Sequence, residues 1–287
     1  MDNHRHKHIN LSITDAHVHF FDTDKLAYPW LNEVPAIKRT FDSSHYQYAT
    51  ETLPIEQIVF VQCECLPEQY LNEISYVSQL AEKDNRIRGI VPYFPLEKDD
   101  AEEQLKNLIQ NKLIKGIRRL EENESLYTNP TFIRNLSLLQ HNNLSFDICL
   151  KSDQLSAAIF MVEQQPEISY MLDHLGKPDI RNTEFKKWSA AIKTLAKNPN
   201  VYCKISGMLN EANHEHWKIE DLKPYFEHVA EQFGTDRMVF GSDWPVVTLV
   251  DTYHNWLSIF LELTKDYSEG DVKKILSENA NRFYRLT

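Results

Sequence analysis

Seven glycines in 287 residues leave little room for chemistry built on bare backbone. No G-x-G-x-x-G and no Walker-type run follows any apolar stretch, so the phosphate cradles of dinucleotide- and nucleotide-binding folds are not expected. No apolar run approaches the roughly 18 residues of a membrane span, and the opening MDNHRHKHIN is too polar for a secretory signal. The sequence reads as cytosolic, with no membrane partner. Basic charge is also short: 31 Lys and Arg stand against 42 Asp and Glu, for a formal charge of -11. That balance opposes binding to a nucleic-acid backbone and points to a small-molecule substrate. Cysteine is sparse as well. Cys63, Cys65, Cys149 and Cys203 fall in apolar, strand-like runs, where a reduced thiol behaves as a small hydrophobe. The pair Cys63 and Cys65 has no second pair at zinc-ribbon spacing, so a structural zinc site is not expected. The cluster His4, His6 and His8 sits in a polar terminus, residues 1–12, read as flexible and without function.

What is present is a regular alternation. Short β-rich runs occur at ITDAHVHF, QIVFVQCE, IRGIVPYF, IKGIRRL, LSFDICL, ISYMLDH, NVYCKIS and RMVFGSD. Helical patterning separates and follows them, over 68–83, 100–111, 130–141, 153–164, 183–197, 219–233, 249–264 and 268–284. Eight strands apolar on both faces, alternating with eight helices, predict an α/β chain of one domain over 13–287, a (β/α)8 or TIM barrel rather than an open doubly wound sheet. The connection over 22–56 is too long for an ordinary turn and rich in Pro and aromatics. It is expected over the C-terminal face of the barrel, with Tyr28, Trp30, Tyr46 and Tyr48 as candidate walls of a pocket.

Polar residues at the C-terminal ends of barrel strands read as chemistry, because the interior beneath them is expected to be apolar. The first strand carries His17 and His19, two apart and so on one face. The second ends at Gln62 and Glu64, the fourth at Arg118 or Arg119, the fifth carries Asp147, the sixth ends at Asp173 and His174, the seventh carries Lys204 and Ser206, and the eighth ends at Ser242, Asp243 and Trp244. Because strand eight closes beside strand one, His17, His19, His174 and Asp243 are expected to meet above the axis. Three imidazoles and a carboxylate suit one Zn2+ or a similar borderline divalent cation such as Mn2+. For Asp243 the competing reading is a turn cap, since SDWP is also good turn chemistry. For His174 it is a satisfied core histidine, and for Arg118 a structural ion pair. The pair His214 and His216 lies in a polar loop and is read as rim.

The motifs DAHVHFFD, YPWL, GIRR, LDHLGKPDI, CKISGM and FGSDWPV, in this order, resemble the amidohydrolase superfamily, specifically the amidohydrolase-related branch that contains sugar-acid lactonases such as L-fuconolactonase and L-rhamnonolactonase. The resemblance runs from about Ile13 to Tyr284. It implies a barrel that hydrolyses small cyclic esters, with His17, His19, His174 and Asp243 as the central constellation and Arg118 and Gln62 reaching toward substrate. Binuclear members of the wider superfamily place a carboxylated lysine after strand four and a histidine after strand five; Arg118 and Asp147 or Lys151 stand there instead, so two metals are not expected. Some lactonases of the branch work without a divalent metal, which would leave Arg118 as the electrophile.

The residues thus predict Asp243 as acid and base, His174 as metal ligand or oxyanion donor, and Arg118 as electrophile. Trp30, Gln62, Asp147, Lys204 and Trp244 are expected around the substrate. A metal-dependent non-oxidative decarboxylase would use a similar set, and a non-catalytic sugar-acid binding protein is the third reading.

Overall fold

A computed structural model describes residues 12–120 and 124–286. His4, His6 and His8 lie outside the described residues. Eight parallel strands form in the expected places: β1 Ile13–Val18, β2 Ile55–Val61, β3 Ile87–Val91, β4 Gly116–Leu120, β5 Ser145–Cys149, β6 Tyr170–Leu172, β7 Val201–Ile205 and β8 Met238–Phe240. Their hydrogen bonding divides them into β1-β2-β3 and β4-β5-β6-β7-β8. Individual backbone bonds span both seams. Lys115 N–H donates to the Ile90 carbonyl at 3.0 Å and Arg118 N–H to that of Pro92 at 3.0 Å. On the other side Asp243 N–H donates to the His17 carbonyl at 2.9 Å and His19 N–H to that of Trp244 at 2.8 Å. The strands therefore close into a (β/α)8 barrel with helices outside, as α/β crossover connections require.

Local chemistry sets the helix boundaries. The helix Pro130–His141 starts where Asn129 Oδ1 accepts from the Thr131 and Phe132 N–H groups, with Pro130 at the first helical position. Thr252 and Ser268 cap the helices Tyr253–Leu263 and Glu269–Lys273 in the same way. The final helical segment expected over 268–284 is interrupted by a wider π turn, Lys274–Glu278, before Asn279–Tyr284 resumes. Among the described residues no helix is long and apolar enough to cross a membrane.

The connection over 22–56 contains two short 3₁₀ turns, Pro29–Asn32 and Pro35–Ile37, and the helix Ser43–Ala49. Its aromatics do not act together. Tyr28 and Tyr46 are buried, with Tyr46 packed edge-on against Trp244 and its hydroxyl donating to Asp15 Oδ2 at 2.9 Å. Tyr48 is 80% exposed. All four cysteines are free thiols; Cys63, Cys149 and Cys203 are buried and Cys65 is half-buried.

Glu73, on the helix Tyr70–Lys83, is an unexpected buried acid. One oxygen accepts from the Cys63 N–H at 3.2 Å and the other has no partner among the described residues. Burial pushes its pKa up to about 8, the Cys63 hydrogen bond only partly opposing it. Because the folded pKa exceeds the ordinary value, the folded chain holds a proton here that the unfolded chain gives up at lower pH. Stability from this group is present below the ordinary carboxylate range and is lost as pH rises toward 8, at up to about 1.4 kcal/mol per pH unit. Glu73→Gln should therefore melt close to wild type at pH 5 and above it by several degrees at pH 9. Equal melting temperatures at pH 9 would show that Glu73 is not held protonated.

Candidate active site

The β8–β1 seam assembles the centre. His17 and Asp243 are joined through backbone, and Asp15 reinforces the junction by accepting from Ser242 N–H at 2.8 Å and His17 N–H at 3.2 Å. Glycine is needed at two places for steric reasons. A Cβ on Gly207, whose φ is 67°, would stand 2.7 Å from His174 Nδ1, and one on Gly241 would stand 2.9 Å from the His17 Cβ. These glycines let β7 and β8 approach the imidazoles.

Each of the three histidines is tied down through Nδ1, by a different partner. His17 Nδ1 faces Asp173 Oδ1 at 3.4 Å and Lys204 Nζ at 3.2 Å. His19 Nδ1–H donates to the Val61 carbonyl at 2.8 Å, and His174 Nδ1 is hydrogen-bonded to Ser206 Oγ at 2.8 Å. All three Nε2 atoms therefore turn inward. They surround Asp243 Oδ1 at 3.6 Å from His17, 3.2 Å from His19 and 4.0 Å from His174, while the Nε2 atoms of His17 and His19 lie 3.2 Å apart. Burial lowers the pKa of His174 to about 4 and that of His17 well below its ordinary value. Both imidazoles are neutral at pH 7. Burial would raise Asp243, but His174, the His19 hydrogen bond and His17 outweigh it and hold the carboxyl well below the usual range.

With His17 and His174 neutral, their Nε2 lone pairs face an ionised carboxylate oxygen, a repulsion that a cation standing among them relieves. Donors at 2.0–2.1 Å from a tetrahedral ion stand about 3.3 Å apart, which matches the separations within the His17, His19 and Asp243 set. The residues fit a single borderline cation. The outward Nδ1 partners supply the orientation that metal-ligating histidines ordinarily have.

A cavity of about 250 Å³ opens over this centre. His19, His174, Asp243, Arg118 and Trp30 line it, and Trp30 Nε1 is held by the Cys63 carbonyl at 2.8 Å. Glu64, Lys177, Cys63, Cys149, Leu120 and Val246 complete its wall. Asp243 does not act as a turn cap: the following 3₁₀ turn, Val246–Leu249, has no side-chain cap, and the carboxylate faces the histidines.

Four expected substrate contacts lie elsewhere. Asp147 and Lys204 are fully buried beneath the histidines, paired with each other at 3.0 Å; Lys204 also pairs with Asp173 at 2.8 Å, and Tyr284 donates to Asp147 at 2.6 Å. The barrel interior thus contains a charged layer where apolar packing was expected, because strand residues pointing inward can satisfy one another across the axis. Gln62 is also fully buried, with its amide bonded to the Glu64 carboxylate. Trp244 points away from the cavity into an aromatic cluster with Phe20, Phe41 and Tyr46. His214 and His216 are exposed, off the cavity wall. Arg118 does reach the cavity, yet its guanidinium is already engaged: Nη2 donates to the Gln62 carbonyl at 2.5 Å, and Nη1 lies 3.3 Å from His17 Nε2 and 3.5 Å from Asp173 Oδ2. Glu64 and Asp173 were placed at strand ends by the sequence pattern but given no role there; Lys177 sits in a motif quoted above, and nothing in its spacing assigned it to the site.

A family model described as amidohydrolase matches residues 14–286. L-fucono-1,5-lactonase from Burkholderia ambifaria is 26% identical over 280 residues, covering 95% of each chain. L-rhamnono-gamma-lactonase from Scheffersomyces stipitis is 24% identical over 266 residues, covering 81% of this chain and 78% of the relative. The crystal structure of an amidohydrolase from Burkholderia multivorans with bound zinc superposes with a TM-score of 0.88 at 23% identity, over 96% of this chain and all of the other. A pattern matched from the first barrel strand to the last helix, on a barrel that brings its β1, β6 and β8 donors to one point, makes this chain a member of the amidohydrolase family.

Proposed function

We propose that the protein is a lactonase that opens a small cyclic ester, a sugar-acid lactone such as L-fucono- or L-rhamnonolactone, by attack of an activated water. The observation that carries this reading is the convergence of three oriented imidazoles on the Asp243 carboxylate at the floor of the cavity. Two further facts support it. Relatives named as lactonases align over most of the chain. A volume of about 250 Å³ falls below the roughly 300–1,000 Å³ of drug-sized pockets and suits a single small ring.

His17, His19 and Asp243 would hold one divalent cation, with His174 as the fourth candidate ligand. Such an ion polarises a carbonyl and lowers the pKa of a coordinated water. The residues do the rest. Asp243, ionised across the neutral range, accepts the proton of the attacking water as its oxygen bonds to the lactone carbonyl carbon. When the tetrahedral centre collapses, the bond from acyl carbon to ring oxygen breaks. Asp243 then returns the proton to that oxygen, leaving a hydroxy acid. His174 suits a ligand better than an oxyanion donor, because its Nδ1 is occupied by Ser206 and burial keeps the ring neutral. Arg118 stays charged and sets a positive wall beside the carbonyl.

A panel of aldonolactones assayed by acid release at neutral pH should contain at least one that is turned over. A carboxylated aromatic turned over in place of every lactone would transfer the centre to decarboxylation, and no turnover of either would leave only binding. Elemental analysis of purified protein should find close to one Zn2+ or Mn2+ per chain, and His17→Ala should reduce it. Full activity after complete chelation would remove the metal from the reaction and leave Arg118 as the electrophile. Asp243→Asn preserves size but cannot take the water's proton, so turnover should fall by at least about 10²-fold while the melting temperature stays within a few degrees. A variant that keeps most of its turnover would take Asp243 out of the mechanism.

A further inference from the structure

Eight non-glycine residues among those described have φ in the left-handed region. This conformation costs free energy for any residue with a Cβ, and it persists where the surroundings over-determine the backbone, commonly at functional sites. Four of the eight line the one cavity: Glu64 at 52°, His174 at 52°, Lys177 at 45° and Asp243 at 61°. Hydrolysis accounts for His174 and Asp243. It makes no use of Glu64 or Lys177.

Both are nevertheless held in place. Glu64 N–H donates to Gln62 Oε1 at 2.7 Å, while the Gln62 amide bonds back to the Glu64 carboxylate. Gln62 is thereby a buried prop for Glu64. Lys177 ends a run, His174 to Lys177, in which all four residues are left-handed. Within it Trp188 Nε1 donates to the Leu175 carbonyl at 2.7 Å and Lys177 N–H donates to the His174 carbonyl at 2.8 Å. One strained turn thus delivers the imidazole to the centre and the ammonium to the wall. Lys177 also borders a second, polar hollow of about 350 Å³ that includes Glu211 and Lys187, so it stands where the cavity gives way to the rim.

The charges around the cavity decide what such residues would recognise. Asp243 and Arg118 belong to the centre and the cation it would hold, so among the charged side chains lining the cavity Glu64 and Lys177 are the pair that remains to face the rest of a substrate. An anionic substituent beside Glu64 would be repelled, and a bare hydrocarbon ring would offer nothing to Lys177 and leave Glu64 only its bond from the Gln62 amide. A neutral ring bearing hydroxyls satisfies the two together, since a hydroxyl both donates and accepts. We propose that Glu64 and Lys177 are the specificity-determining residues of this site, Glu64 accepting hydrogen bonds from ring hydroxyls of the substrate and Lys177 donating to them. The inference rests on the lactonase reading and deepens it by assigning recognition of the ring hydroxyls to these two side chains.

The test compares the best aldonolactone of the panel with the unsubstituted lactone of the same ring size, δ-valerolactone or γ-butyrolactone. Wild-type kcat/KM should favour the hydroxylated ring by at least about 10²-fold, as a site built to hydrogen-bond hydroxyls rejects an analogue lacking them. Lys177→Met and Glu64→Gln should each reduce that ratio by about tenfold or more, chiefly through a higher KM for the hydroxylated lactone. Lys177→Arg should restore part of it. Melting curves identify any variant that fails to fold, and the wild-type comparison stands without the variants. A wild-type enzyme indifferent to the hydroxyls, or folded variants that lose both lactones equally, overturns this assignment while the lactonase reading survives. A wild-type protein that opens no lactone removes both.

Discussion

The hydrogen bond from Asp243 N–H to the His17 carbonyl, 2.9 Å long, joins the last strand end to the first. On it depends the spacing of the donors. Side chains alternate faces along a strand, so a slip of one residue at this seam would turn Asp243 away from the axis or send His17 and His19 outward. The neighbouring bond from His19 N–H to the Trp244 carbonyl removes that freedom, and Asp15 clamps both sides through Ser242 and His17. Trp244, expected among the substrate contacts, serves this junction instead by anchoring the seam in the aromatic cluster of Phe20, Phe41 and Tyr46. Closing the barrel and building the centre are one event.

Beneath the seam lies a second constraint, the buried layer of Lys204, Asp147, Asp173, Arg118 and His17. Burying such charges costs several kcal/mol per ion, repaid only when geometry and hydrogen bonding are good. Here Lys204 pairs with two carboxylates, which raise its pKa against the effect of burial, while Lys204 and His17 hold Asp173 well below the ordinary range. An apolar layer of the same volume could have stabilised the barrel equally well. It could not have held the His17 ring with Nδ1 outward and Nε2 at the centre. Orientation of one imidazole is the physical return on this layer, and it explains why polar residues penetrate an interior that barrels usually fill with branched aliphatics.

How much of this was legible in the sequence follows from the same distinction. The eight strands were readable because apolar runs of the right length recur between amphipathic helices, and the His17 and His19 pair was readable because a strand places i and i+2 together. His174 and Asp243 followed from the rule that chemistry sits at strand ends. Asp147 and Lys204 misled because the pattern marks a polar residue within a strand without saying whether it points to solvent, to substrate or to another charge across the axis. Gln62 misled for a similar reason, its amide being spent on Glu64 two residues away. Glu64 was located at a strand end but given no role, and Lys177 was not located at all, because the direction of each is set by left-handed backbone that no periodicity describes. Gly207 and Gly176 are the faint local signals of such backbone near the site.

Two kinds of strand end therefore divide the work. At the β8–β1 seam, extended backbone locked by paired hydrogen bonds fixes His17 and His19 with the small tolerance that ligation or proton transfer demands. After β2 and β6 the chain leaves its strands through strained left-handed turns, which project Glu64 and Lys177 across the cavity from sites that helical or extended backbone would aim elsewhere. Both arrangements are stiff, for different reasons: one is hydrogen-bonded into the barrel, and the other is pinned by a buried glutamine and by Trp188. The Gln62–Glu64 prop is separate from the seam bonds, which run between Asp243, His17, His19 and Trp244, but it meets the centre through Arg118, whose Nη2 donates to the Gln62 carbonyl. Asp243 and His174 cross this division: Asp243 is left-handed at the seam itself, and His174 is left-handed after β6. His174 stands on the same turn as Lys177, so the backbone that positions the third inward nitrogen also positions the ammonium at the rim, and the chemistry and the recognition of this site are coupled through that one strained segment.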